Sequence, residues 1–125
     1  MKLRCTTNSI RLRVQKSEVE SLKKGHKLIE KVPFGHSNFT FSLGPTNSPN
    51  VLAVFESGQM AIHIPQQQMK TWVESEEVGI EVDKLWSDGK KLHILIEKDF
   101  PCVTRTTEDK SETFQELAKK NDQVC

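Results

Sequence analysis

At 125 residues the chain has the length of one domain, and a chain of this size buries roughly two-thirds of its unfolded surface without needing disulfide or metal staples. Its 18 basic and 17 acidic side chains leave a formal net charge of +1, which argues against a dedicated nucleic-acid binder, whose domain carries a clear basic excess. No apolar run reaches the ~18 residues of a membrane span, and the opening Met-Lys-Leu-Arg-Cys-Thr-Thr has no apolar stretch of the signal-peptide kind, so a cytoplasmic location is expected.

The first clear element is a strand over Ser9 to Gln15. Ile10, Leu12 and Val14 point one way, Arg11 and Arg13 the other. Leu3 and Cys5 have the opposite phase, so Thr6-Thr7-Asn8 is expected to form a turn or bulge that resets it. Ser17 and Glu20 stand at capping-box spacing ahead of a short helix with Val19 and Leu22 inward and Gly25 as its stop. His26 to Val32 reads as a strand ended by Pro33 and Gly35. Asn38 to Leu43 alternates with Phe39, Phe41 and Leu43 inward, and Gly44 to Asn50, with two prolines, reads as a loop.

Val51 to Phe55 is almost wholly apolar and suits a central strand covered on both faces. Ser57-Gly58 then gives a hairpin turn into Gln59 to Ile64, with Met60, Ile62 and Ile64 inward. Pro65 fits the first position of a second helix, whose inner stripe is Met69, Trp72 and Val73. Val78, Ile80 and Val82 mark another strand. Asp88-Gly89 signals a type I′ turn into Leu92 to Glu97, where Leu92, Ile94 and Ile96 share one face and His93, Leu95 and Glu97 the other.

After Asp99 the composition changes. Thr104 to Thr113 has no apolar residue; Asp109 and Glu112 then cap a last short helix with Phe114, Leu117 and Ala118 as its stripe. The expected organisation is one domain over 1–100 and a polar C-terminal extension over 101–125. Residues 10–43 and 60–96 both read strand, helix, strand, strand, with Ile10, Leu12 and Val14 matching Met60, Ile62 and Ile64. The expected fold is therefore α+β: a mostly antiparallel, strongly curved or partly barrel-like sheet of seven to eight strands, two to three short helices, and a pseudo-duplicated unit.

Few constellations carry chemistry. Arg11 and Arg13 place two guanidinium groups about 7 Å apart on one strand face, a spacing that grips a phosphate or carboxylate or serves as a solvated face that discourages edge pairing. His63 and His93 are mid-strand histidines that would share a metal only if their strands were neighbours and further ligands were at hand. Cys102 follows a strand end near His93, where a lowered thiol pKa would make it a nucleophile and an ordinary setting a structural thiol. Cys5, Cys102 and Cys125 are odd in number and lack paired spacing, which suits a reducing compartment. The six glycines are scattered singly, so no phosphate loop is present.

The segments Met-Lys-Leu-Arg, Asn8-Ser9-Ile10-Arg11-Leu12-Arg13 and Ile94-Leu95-Ile96-Glu97-Lys98-Asp99-Phe100-Pro101-Cys102 resemble a family of short bacterial proteins of unknown function. That resemblance implies a bacterial cytoplasmic protein and carries over no activity; no cofactor or metal is expected. It marks Asn8, Arg11, Arg13, Asp99 and Cys102 as residues to test. Together these readings point to a non-catalytic binding or assembly module that self-associates or takes a protein partner. The alternatives are a binder of a small anion through Arg11 and Arg13, and an enzyme built on Cys102.

Overall fold

The computed structural model describes residues 1–100, which form eight strands and two helices. Cys102, Cys125 and the short helix expected from Asp109 lie outside the described residues. The order is β1 (Lys2–Cys5), β2 (Ser9–Val14), α1 (Lys16–Lys23), β3 (Leu28–Pro33), β4 (Asn38–Thr46), β5 (Leu52–Glu56), β6 (Gln59–Pro65), α2 (Gln66–Glu74), β7 (Gly79–Leu85) and β8 (Lys91–Lys98).

Four antiparallel hairpins account for all eight strands. The Thr6-Thr7-Asn8 turn brings Leu3 opposite Leu12, so it does reset the phase of the first strand. The β5–β6 turn places Ser57 at φ 51° and Gly58 at φ 74°, both left-handed, which matches the right-handed twist of its strands. The β7–β8 turn differs from the expected type I′. Gly89 alone is left-handed there; its N–H donates to the Trp86 carbonyl, and the Asp88 carboxylate accepts from the Lys90 N–H at 3.0 Å.

The helices start slightly away from the expected caps. The acidic partner of the first helix is Glu18, which accepts the Gln15 N–H at 2.8 Å, in place of the Ser17–Glu20 pairing. Pro65 precedes the second helix as its N-cap. Both expected stripes are buried: Val19 and Leu22, then Met69, Trp72 and Val73.

Two larger expectations are corrected. The strands do not form one strongly curved or barrel-like sheet, and the antiparallel expectation holds for the four hairpins but not for the pairs that join them. The strands form two four-stranded mixed sheets, β1-β2-β8-β7 and β3-β4-β6-β5, each with a parallel pair at its centre. The physical reason is connectivity. Within each half a helix separates the two hairpins and carries the chain from one sheet to the other, so no tight turn forces antiparallel pairing where the halves meet. Among the described residues each sheet has two edge strands. Also, β5 is an edge strand, not a central one, and β4 continues through Gly44 and Pro45 because β6 pairs with it as far as Thr46 opposite Pro65.

The repeat is real at the level of architecture and larger than the sequence pattern suggests. Hairpin, helix, hairpin occurs twice: β1-β2-α1-β3-β4 and β5-β6-α2-β7-β8. Each half gives its first hairpin to one sheet and its second to the other, so exchanging the halves exchanges the sheets. The inner rows correspond. Leu3, Leu12, Ile96 and Ile80 cross one sheet; Ala53, Ile62, Leu43 and Leu28 cross the other. Leu12, Leu43, Ile62 and Ile96 are fully buried and join both helices in one core cluster. Trp72, also fully buried, donates its indole N–H to the Val78 carbonyl at 3.1 Å.

Candidate functional site

The outer faces of the two sheets occupy equivalent places in the duplicated fold and carry opposite chemistry. Strand alternation sets which residues face out. On the β1-β2-β8-β7 sheet one outer row reads Lys2, Arg13, Glu97, Gly79, and the next reads Arg4, Arg11, Leu95, Glu81. The side chains are basic on β1 and β2 and acidic on β7 and β8.

Glu97 is the centre of this face. It is 6% exposed, and a buried carboxylate is stable only when paired. Arg11 donates to its Oε1 through Nε at 2.8 Å, with Nη2 at 2.6 Å, and Arg13 Nε lies 3.1 Å from the same oxygen. Arg13 also lies 3.9 Å from Asp99 Oδ1 and stacks over the Phe100 ring at 5.6 Å, while Lys2 reaches Asp99 at 3.7 Å. Gly79 stands directly across from Glu97, and a Cβ there would meet the Ile96 carbonyl oxygen at 2.9 Å.

The residues singled out in sequence are thus partly brought together. Arg11, Arg13 and Asp99 form one ionic cluster. Asn8 contributes through its backbone, its carbonyl accepting the His93 N–H at 2.9 Å. Cys102 lies outside the described residues. His63 and His93 are in different sheets; His93 is flanked by Asp83 at 2.6 Å and Glu81 at 3.2 Å. Among the described residues no three His, Cys, Asp or Glu side chains converge to hold a metal ion. None of the described helices is long and apolar enough to cross a membrane.

The corresponding rows of the β3-β4-β6-β5 sheet are different. Where the first sheet has Arg4, Arg11, Leu95 and Glu81, the second has Val54, Ala61, Ser42 and Ile29. Where it has Lys2, Arg13 and Glu97, the second has Leu52, His63 and Gly44. The centre of this face is lined by small residues, and the Lys27 side chain lies along Gly44. Ile29 is 52% exposed and Val54 44%. On β5, next to Val54, Phe55 is 70% exposed.

The model of DUF7009, a family of unknown function, matches residues 1–118. The chain belongs to that family. No curated protein and no solved structure matches it significantly, so the chemistry of this DUF7009 chain is argued from its own residues.

Sequence reasoning missed Glu97 as the partner of the two arginines and Ile29, Val54 and Phe55 as surface residues. For Glu97 a signal existed: one carboxylate inside the run Ile94-Leu95-Ile96-Glu97, on the face shared with His93. For Val54 and Phe55 the same apolarity that suggested a central strand was the signal, assigned to the chain's own core.

Proposed function

We propose that the chain is a non-catalytic binding and assembly module whose partner surface is the outer face of the β3-β4-β6-β5 sheet. The observation that carries this reading is the row Ile29, Ser42, Ala61, Val54 standing where the equivalent row of the other sheet is Glu81, Leu95, Arg11, Arg4. The two faces share one architecture, so their difference in chemistry is not imposed by the fold. Ile29 on β3 and Val54 on β5 flank the small side chains of Ser42 and Ala61, giving this face exposed apolar groups at both margins that suit an apolar partner. A partner with a complementary apolar surface would remove Ile29 and Val54 from water, at roughly 25 cal/mol per Å² of apolar area.

A small anion held by Arg11 and Arg13 is the alternative; a depression of about 230 Å³ on the opposite face is lined by Arg4 and Arg11, and Arg13 is not part of its lining. Any added anion there competes with the Glu97 carboxylate already on Arg11 and Arg13, and this favours the assembly reading.

The test is Ile29→Lys against the control Glu81→Lys at the equivalent position. Light scattering as a function of concentration should show weaker attraction between molecules for Ile29→Lys alone, with an unchanged melting temperature. A large loss of thermal stability in Ile29→Lys would make Ile29 a core residue and end this reading.

A further inference from the structure

Each sheet has two edge strands, and an unguarded edge invites another strand to pair with it. Three of the four edges are guarded among the described residues. β1 carries Lys2 and Arg4, β3 carries Lys31 and Pro33, and β7 carries Glu81, Asp83 and Lys84. The fourth, β5, reads Leu52-Ala53-Val54-Phe55-Glu56 and has neither a basic residue nor a proline. Its composition is that of a strand with neighbours on both sides, yet among the described residues β6 is the one strand paired with it.

We infer that β5 pairs with β5 of a second copy of this chain, joining two β3-β4-β6-β5 sheets into one continuous sheet across a two-fold axis. This goes beyond the reading of the outer face: it uses the edge of the same sheet and leaves Ile29, on the far strand β3, untouched.

The sequence of β5 is self-complementary in one register. Opposed residues in a continuing sheet must lie on the same face, so a two-fold axis passes through a residue and not between two. With the axis at Val54 all five residues are used. Val54 then faces its own copy, Ala53 faces Phe55, and Leu52 faces Glu56. The exposed Phe55 ring covers the small Ala53 of the other copy, which is half-buried at the rim of the core. The strand's charged residue, Glu56, meets a leucine and not itself, so no like charges are opposed. On the outer face the row Ile29, Ser42, Ala61, Val54 continues without interruption into its copy.

The other edges fail this test or resist it. An axis at Val82 in β7 sets Glu81 against Asp83, two like charges. In β3, Pro33 lacks the N–H that a ladder needs.

A five-residue ladder is a small contact, of the class below about 1,200 Å² that associates weakly. The experiment therefore follows mass against concentration by native mass spectrometry and sedimentation, up to millimolar chain. The full chain should double in mass. Val54→Lys, which sets two ammonium groups against each other on the axis, should remain monomeric with an unchanged melting temperature. Val54→Cys, in a chain with Cys5, Cys102 and Cys125 changed to Ser, should oxidise to a covalent dimer, because opposed residues of an antiparallel pair lie within disulfide reach. Ile29→Cys in the same background should not.

A chain that stays monomeric throughout overturns the inference and leaves the face free for a different partner. A dimer that survives Val54→Lys but is lost in Ile29→Lys also overturns it, since the copies then meet face to face. A Val54→Cys chain that crosslinks no faster than Ile29→Cys is equally decisive against it.

Discussion

Gly79 and Glu97 face each other across the β7–β8 ladder, and Gly79 has no side chain at a point where the Ile96 carbonyl oxygen comes too close for one. A Cβ on Gly79 would stand 2.9 Å from the Ile96 carbonyl oxygen and 3.4 Å from the Glu97 Cβ. Backbone does not yield as a flexible side chain does, so Gly79→Ala is expected to cost about 1–3 kcal/mol, the range for overpacking. Urea denaturation measures this. A neutral result would mean that the strands separate locally without penalty.

Oε1 of Glu97 contacts both Arg11 and Arg13. Removing the carboxylate leaves two guanidinium groups side by side with little water around them. Glu97→Ala should therefore lose about 3–5 kcal/mol, as expected when one partner of a buried ion pair is deleted. Adding Arg11→Leu to that variant should recover part of the loss, and a double-mutant cycle on the two changes should show coupling. Simple additivity would mean that the pair contributes nothing specific.

Trp72 is fully buried and Trp86 is 39% exposed. Trp72→Phe keeps most of the packing and removes the indole donor from the Val78 carbonyl, which still accepts the Lys98 N–H, at an expected cost of about 0.5–1.5 kcal/mol. The remaining fluorescence should shift to the red, because it then comes from Trp86 alone. An unshifted spectrum would place Trp72 in water.

The Met1 amine lies 2.6 Å from Glu18 and 3.3 Å from Glu30. Burial lowers its pKa, but the hydrogen bonds and charges of Glu18 and Glu30 outweigh this and raise it above the usual 8.0. A raised pKa means that the folded state holds the proton more tightly than the unfolded chain does. The stabilisation is thus complete below about pH 8 and is lost as the pH climbs through the folded value. Melting temperatures between neutral and alkaline pH should fall more steeply for the free amine than for the N-terminally acetylated chain. Parallel curves would show that the two carboxylates do not bind it.

Much of the fold was legible because alternation and helical spacing are local properties. Leu12, Val14, Ile62 and Ile64 follow a period of two and are fully buried; Met69, Trp72 and Val73 follow the helical period and are buried too. Hairpins were legible from Ser57-Gly58 and Asp88-Gly89. Sheet order was not, because the central parallel pairs join residues such as Arg11 and Glu97, which are 86 positions apart. No local signal reports that neighbourhood. The cluster was half legible for the same reason: alternation set Arg11 and Arg13 on one face, but nothing nearby named their acidic partner. β5 was misread because composition reports that a strand wants apolar neighbours and not which molecule supplies them.

The exchange of hairpins between halves has a consequence for synthesis on the ribosome. When residues 1–46 have emerged, β2 and β4 each lack the strand that will pair with their inner edge, and those strands, β8 and β6, have not yet been made. Neither sheet is completed by the first half alone, and the β1-β2-β8-β7 sheet closes only after Lys98 has been added. Nascent chains on adjacent ribosomes therefore present each other with open, apolar inner edges, and the same pairings that complete one molecule are available between two.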